Sequence, residues 1–533
     1  MKLIWKGCSF ALQVLAIIIA SPVIAEIVNI NLLHLNDIYE IATPKGENAR
    51  GGLARVATLR QQLLRENPRT YTLLAGDLLS PSALGTAKID GKPIAGQQMV
   101  AVMNTLGLDY ATFGNHEFDL KKDQFYKRLE ESQFRWFSGN VSDKKNQPFN
   151  GVSPYIVLEV KGEQGTVVRV GLIGLTIPIN SPGYVNYIDP IQAAKNQIME
   201  LKGKVDILIA VTHLSIDQDI QLAKEVPEVK MILGGHEHEN IQVWRGQNLT
   251  PIFKADANAR TVYVHRLSYD TTTKQLKIDS ELVPIDKKFD EDPSTANVVK
   301  EWVEKAFEAF KKDGFKPEDE ITTTSEPLDG LESSIRNQPT NLTQLITKFM
   351  LTEVEKADLA IINSGSIRID DVINPGQITQ YDVLRMLPYK DNVVPVVMKG
   401  SLLETVLNQG NKNKGSGGYL QTANVSQDEQ KKWMINGQIL DKNHKYTVAI
   451  NEFLMEGKEQ NLDFLTCEHS DITCMDQKKD IRSVVIDQWK KWRERSHSTC
   501  REIAFLCQKS LFEATFPQNN LLGGDARRNS DLH

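Results

Sequence analysis

Five short apolar runs in the first half of this chain each end on residues able to bind a cation, and this repetition constrains the fold more than any bulk property does. "IVNINLLHLND" delivers Asp37, "TYTLLAGD" delivers Asp77, and "YATFGNHEFD" delivers Asn115, His116 and Asp119. "VDILIAVTH" delivers His213, and "VKMILGGHEH" delivers His236 and His238. Taken singly, each has an ordinary explanation: an Asp caps a turn, an Asn serves one, and a His after a strand is a satisfied structural residue. Five together ask for a common cause. From Ile27 to about Asp286 such runs alternate with more polar helical stretches, the pattern of an α/β domain. In sheets with mainly parallel strands, strand ends open onto one edge, where ligands bind. Carboxylates, an amide oxygen and imidazoles without a thiolate are the donor set of a hydrolytic site for divalent metals. Two such ions about 3.5 to 4 Å apart, bridged by one carboxylate, form a clamp for phosphoester hydrolysis.

The chain has 533 residues, 41% hydrophobic and 24% charged, enough for two or more domains with substantial cores. Residues 1–25 differ in kind. Lys2 and Lys6 precede an apolar run from Phe10 to Ala20, and "SPVIA" places small residues for cleavage after Ala25. This reads as a secretory signal peptide, the run being shorter than the roughly 20 residues a membrane span needs. Removing it leaves 60 basic against 68 acidic residues, a net charge of -8. That balance offers no support for nonspecific nucleic-acid binding and leaves a small anionic substrate open, since local cations decide that.

Four cysteines remain: Cys467, Cys474, Cys500 and Cys507. An even number in an exported chain suggests disulfides. If "CREIAFLC" is helical, Cys500 and Cys507 stand about 10 Å apart along the axis, too far for a mutual bridge. Pairing between the two clusters is then the better expectation, with free buried thiols as the alternative.

The organisation expected is a signal peptide (1–25), a catalytic α/β domain (26–290), a connecting helix (291–318), a second α/β domain (319–510) and a polar tail (511–533). "ANVVKEWVEKAFEAFKK" carries Val298, Val299, Trp302, Val303, Ala306, Phe307 and Phe310 at helical spacing, an apolar face for docking. "ADLAIINSG", "NVVPVVMKG" and "KYTVAINEF" read as strands, and "NQGNKNKGSGGYL" as a Gly-rich loop.

The stretches "HLND", "GDLL", "GNHEFD", "THL" and "GGHEH", in this order, resemble the calcineurin-like metallophosphoesterase superfamily. With the second domain included, residues 27 to 470 resemble the secreted bacterial 5′-nucleotidase and UDP-sugar hydrolase family. The resemblance implies a four-layer α/β/β/α sandwich, a connecting helix and a C-terminal substrate-binding domain. It implies two divalent ions, Zn²⁺, Mn²⁺ or similar, with Asp77 bridging, Asn115, His213 and His236 on one ion, and Asp37 and His238 on the other. His116, oriented by Asp119, would be the catalytic dyad assisting attack by metal-activated hydroxide. The family usually reads Asp-x-His at the first motif, whereas "NDIYE" puts Tyr39 at the His position.

In the second domain, "NSGSIR" resembles a family motif giving Asn363 and Arg368 as substrate contacts, and "RNQPTNL" aligns Arg336 with a substrate-binding Arg. Guanidiniums suit phosphate oxygens because their planar donors pair bidentately. Tyr419 and Phe453 align with two aromatic rings that grip a base. Where relatives read Gly-Gly-Asp-Gly this chain reads "GKEQ", with Glu459 at the acidic place. The implied function is an exported 5′-nucleotidase acting on a small nucleotide, without nucleic acid or a stable membrane anchor, in the periplasm or outside the cell. A nucleotide-sugar pyrophosphatase or cyclic-nucleotide phosphodiesterase on the same scaffold, and a catalytically impaired nucleotide binder, are the alternatives.

Overall fold

A computed structural model describes residues 26–46 and 49–494. The expectations for the signal peptide, for Cys500 and Cys507 and for the polar tail lie outside the described residues.

Two six-stranded sheets lie face to face. In the first, the parallel strands Ile27–Leu35, Thr70–Ala75, Tyr110–Thr112 and Arg135–Trp136 follow one another, and the antiparallel strands Thr261–Asp270 and Leu276–Pro284 extend the Ile27 edge. In the second, Val167–Thr176, Ile207–His213, Met231–Gly234 and Thr250–Lys254 run parallel, flanked by antiparallel Tyr155–Lys161 and Ile241–Arg245.

The apolar runs are continuous because their strands are buried on both faces. Val28, Ile30 and Leu32 pack between the sheets against Ile207, Ile209 and Val211. Leu33 and Leu35 pack outward, among the helices Leu53–Glu66, Gln97–Leu106 and Lys122–Glu131. On the second sheet, Leu208 and Ala210 face outward to the helices Pro190–Leu201 and Ile216–Glu225. Helix, sheet, sheet and helix therefore form four layers, and each fully buried Leu or Ile contributes about 1.5–3 kcal/mol to holding them.

The helix Pro293–Lys312 starts where the chain chemistry dictates: Pro293 is its first residue, and the Asp292 carboxylate accepts from Thr295 N at 2.9 Å. Its apolar stripe docks on the first domain, with Ala306, Ala309 and Phe310 buried there. Phe307 also meets Tyr381 of the second domain, ring centroids 4.8 Å apart.

The second domain is built on a sheet in which Leu420–Ala423, Leu359–Asn363, Lys445–Asn451, Asn392–Lys399 and Ile472–Cys474 are neighbours in that order. Ala360 and Ile362 pack to one side with the helix Asn341–Glu353 and the helical residues 481–494. Leu359 and Ile361 pack to the other with the helix Gly400–Lys412. That helix runs through residues 408–412, so the polar stretch expected to be loop is loop only in its second half. Leu403, Val406 and Leu407 bury the helix face, and Gly410 lets it approach Leu420 closely: a Cβ there would lie 2.6 Å from the Leu420 side chain.

Cys467 and Cys474 are bonded to each other, Cα atoms 5.7 Å apart, which corrects the expected pairing between clusters. They are as far apart in sequence as Cys500 and Cys507, but the chain between them turns back into the strand Ile472–Cys474 instead of rising along a helix. Closing a loop of this size is worth about 2.5 kcal/mol through the unfolded chain. Cys467→Ser should lower stability by about that amount in urea unfolding. An unchanged midpoint would mean that the loop is held without the bridge.

Candidate metal and phosphate site

All five motif-bearing strands present their C-terminal ends on one edge of the sandwich, and the side chains after them converge. Asp37, Asp77 and His213 gather their ligating atoms within 4.8 Å of one another. His213 Nε2 lies 3.3 Å from Asp77 Oδ2 and 3.8 Å from Asp37 Oδ1, and His238 Nε2 lies 3.3 Å from Asp37 Oδ1. The backbone is bent to achieve this. Asp37, Asp77, His236 and His238 all have positive φ, between 52° and 88°, a strained region that non-glycine residues adopt where function demands it. Gly114 is required for the approach, because a Cβ there would lie 2.0 Å from Asp77 Oδ1.

The electrostatics favour positive charge. Burial pulls the His213 imidazole down, but Asp77 and Asp37 more than offset it and raise its pKa to about 9. Against their own burial, Asp37 is held down to about 2 by His213 and His238, and Asp77 is lowered by His213 and His116. His236, half-buried and beside His213, is lowered to about 3 by desolvation and by that neighbour, and stays neutral, the form that ligates. His213 Nδ1 is engaged by the Ala75 carbonyl at 2.9 Å, which turns Nε2 toward the carboxylates. That Nε2 and Asn115 Oδ1 are both buried without a hydrogen-bond partner. A divalent cation would satisfy an acceptor-only oxygen, an imidazole and two carboxylates together, so the donor set fits one.

Beside this cluster, His116 Nδ1 pairs with Asp119 Oδ2 at 2.7 Å. Asp119 is itself held by Ser80 Oγ at 3.0 Å and Asn180 Nδ2 at 2.6 Å. With Nδ1 engaged, Nε2 is the nitrogen left to face the cavity that His116 lines. Burial lowers the His116 pKa, but the Asp119 and Asp77 carboxylates raise it above the ordinary value.

A cavity of about 950 Å³, a size suited to a small molecule, lies between the two domains. The first domain supplies Asp77, Asn115, His116, Asp119, His236 and His238 to its wall, and the second supplies Arg336, Asn363, Arg368, Phe453 and Glu459. Asp37 and His213 lie fully buried behind it. The Arg368 guanidinium keeps its buried Nε unpaired. Arg336 pairs with Glu332 at 2.5 Å. Asn363 is built into a network rather than free, since Ser366 Oγ and Asn451 Nδ2 both donate to it and its own amide donates to Glu459 at 2.8 Å.

Tyr419 is not brought into the wall. Its carbonyl accepts from Ser364 N at 2.8 Å, and Gly417 accepts from Gly365 N at 2.7 Å, so the loop presents Gly417 to the cavity. Tyr389 lines the cavity, 41% exposed.

Several supporting residues escaped the sequence reading. Glu117, fully buried, accepts from the backbone N–H groups of Asp77, Leu78, Leu79 and Gly114, fixing two motif loops. Its place inside "GNHEFD" was the available signal. Asp370 of the second domain pairs with His238 Nδ1 at 3.0 Å. Lys254 gave no signal at all: a fully buried ammonium at a strand end, it donates to the carbonyls of Leu214 and Gly235, lies 2.9 Å from Asp219 Oδ2 and pairs with Glu237. It ties together the loops that carry His213 and His236. Lys254→Met would leave the buried Asp219 and the half-buried Glu237 carboxylates uncompensated and should destabilise the chain by about 3–5 kcal/mol. A urea titration showing a loss below about 1 kcal/mol would remove this role, since that is the range of exposed pairs.

Stacked sheets with this cluster at one edge, covered by a guanidinium-bearing second domain, define a metallophosphoesterase joined to a substrate-binding domain. The calcineurin-like phosphoesterase profile matches residues 30–240, and the 5′-nucleotidase C-terminal domain profile matches residues 320–466. The chain belongs to the 5′-nucleotidase family of calcineurin-like phosphoesterases and is a metal-dependent phosphoester hydrolase. It is 27% identical over 491 residues to the 5′-nucleotidase of Vibrio vulnificus, covering 79% of this chain and 83% of that one. To the trifunctional nucleotide phosphoesterase protein YfkN of Bacillus subtilis it is 28% identical over 421 residues, 70% of this chain but 27% of that longer one. The 5′-nucleotidase precursor of Thermus thermophilus superposes with a TM-score of 0.70 at 22% identity, covering 87% of this chain and 97% of that one, a likeness of fold.

Proposed function

We propose that the protein hydrolyses nucleoside 5′-phosphates to nucleoside and phosphate. The observation that carries this reading is a cavity walled by the cation-binding cluster on one side and by Arg336, Arg368 and Phe453 on the other. Asp77, Asn115, His213 and His236 would hold a divalent ion, and Asp37 with His238 is the set the resemblance assigns to a second. Bound there, divalent metal supplies Lewis acidity at phosphorus, worth several kcal/mol of transition-state stabilisation. Arg368, and Arg336 if it leaves Glu332, pair with phosphate oxygens and orient the ester. His116 carries a proton at Nε2 and donates a hydrogen bond to the oxygen on which charge builds, while Asp119 holds the ring in place. Phe453 offers a face to the base, a contact worth roughly 1–3 kcal/mol that tolerates any base.

Export is part of the proposal, supported by the character of residues 1–25 and by the Cys467–Cys474 bond, which suits an oxidising compartment. No helix among the described residues is long and apolar enough to cross a membrane.

The test is phosphate release from AMP by the metal-stripped protein, with Mn²⁺, Zn²⁺, Co²⁺ or Mg²⁺ added back singly, beside a diester and a nucleotide-sugar. Metal-restored release from AMP is the expected result. Cleavage of the diester or the nucleotide-sugar with none of AMP would overturn the substrate assignment.

A further inference from the structure

The polar atoms of the cation-binding cluster fall into two groups. On one side, Asn115 Oδ1 is buried with no hydrogen-bond partner, and His213 Nε2, also without one, faces the Asp77 and Asp37 carboxylates at 3.3 and 3.8 Å. On the other, the ligating atoms all lie within reach of one hydroxyl, which can donate its single hydrogen bond to Asp77 Oδ2 and accept one from His238 Nε2. The Tyr39 hydroxyl lies 2.9 Å from Asp77 Oδ2, 3.3 Å from Asp37 Oδ1 and 2.9 Å from His238 Nε2. His238 Nδ1 is engaged as well, by Asp370 at 3.0 Å. The second Asp37 oxygen accepts from Asn36 Nδ2 at 2.8 Å and from His236 N at 2.9 Å. Burial penalises an unpaired polar atom more than a paired one, so Asn115 Oδ1 and His213 Nε2 gain more from a cation than Asp37 and His238 do.

Space leads to the same division. An ion shared by Asp37, Asp77 and His238 sits about 2.0–2.2 Å from each ligating atom. The Tyr39 oxygen stands among the same three atoms at hydrogen-bonding distance, so it fills the position such an ion would take. The side chain has little freedom to withdraw. Tyr39 is 5% exposed, its own N–H donates to Asn258 Oδ1 at 3.0 Å, and the residue before it donates to the Asp77 carbonyl at 2.9 Å.

We infer that this chain holds a single divalent ion, on Asp77, Asn115, His213 and His236, and that the Tyr39 hydroxyl takes the place of a second one among Asp37, Asp77 and His238. The inference rests on the metal-dependent reading proposed above. It makes Tyr39 a positioning residue: its hydroxyl keeps Asp37 and His238 in place and meets Asp77 Oδ2, while Asp77 Oδ1, which accepts from His116 N at 2.8 Å, has a second lone pair for the ion.

Metal content and electron paramagnetic resonance decide the matter without an activity assay. The full-length protein is stripped, loaded with excess Mn²⁺ and desalted, then compared with Tyr39→His treated alike. The expected result is one Mn²⁺ per chain with an uncoupled six-line spectrum for the unaltered protein, and two with an exchange-coupled spectrum for Tyr39→His. Two tightly held, coupled ions in the unaltered protein would overturn the inference while leaving the hydrolase reading intact. A visible phenolate charge-transfer band on loading with Fe³⁺ would also overturn it, by showing Tyr39 as a ligand. No retained metal in either protein would defeat both this inference and the metal-dependent reading beneath it.

Discussion

Asp77→Asn is expected to lower metal-dependent phosphate release from AMP by more than about 10³-fold, about 4 kcal/mol in the barrier, with most of the bound metal lost. The side chain is 1% exposed, and its two oxygens serve different partners. Oδ1 accepts from His116 N at 2.8 Å, and Oδ2 faces Tyr39 and His213. An amide of the same shape keeps one acceptor, removes the negative charge and directs an NH₂ group at neighbours arranged for a carboxylate. The ion's affinity falls, and the smaller of the two carboxylate fields that raise His116 is lost with it. Metal analysis and kcat/KM measured on the same preparation check this. Activity within tenfold of the unaltered enzyme, with metal retained, would remove Asp77 from the centre of the site.

His116→Ala should cost about 10² to 10⁴ in kcat, the usual range for a positioned proton donor, with metal content unchanged because the ring lies beside the cluster. The pH profile carries the sharper prediction. Asp119 and Asp77 hold the His116 pKa above its ordinary value despite burial. The imidazolium is therefore fully present below that raised pKa, and activity that depends on it is lost as pH rises through it. Asp119→Asn removes the larger of the two supporting charges. The alkaline limb of kcat should then move down by about one unit or more. An unmoved alkaline limb would mean that His116 does not titrate in the rate-determining step.

The strand ends were legible because each site residue follows its own apolar run, and the run is visible in sequence. Continuous apolar stretches signal burial on both faces, and the four-layer sandwich satisfies that requirement. The helix at Pro293–Lys312 was legible for a similar reason: cap, proline and stripe are local features. Other features had no local signature. The bond between Cys467 and Cys474 depends on how the chain turns between them. Tyr419 follows a glycine pair, and the backbone bonds from Ser364 N to the Tyr419 carbonyl and from Gly365 N to the Gly417 carbonyl decide what reaches the cavity. The segment 408–412 is polar in composition but helical because the residues before it bury a face.

Which atoms could bind a cation, and that they would meet on one sheet edge, was decided by the sequence alone, since residue chemistry and strand periodicity are local properties. Which of those atoms are already occupied was decided by the tertiary structure. Tyr39 reads in sequence as a missing histidine. In three dimensions its hydroxyl lies within hydrogen-bonding reach of Asp37, Asp77 and His238, residues up to 199 positions away. Lys254 and Asp370 also act on residues distant in sequence. Partnership between buried polar groups depends on distance in space, and only the packed sheets and the closed domain interface set that distance.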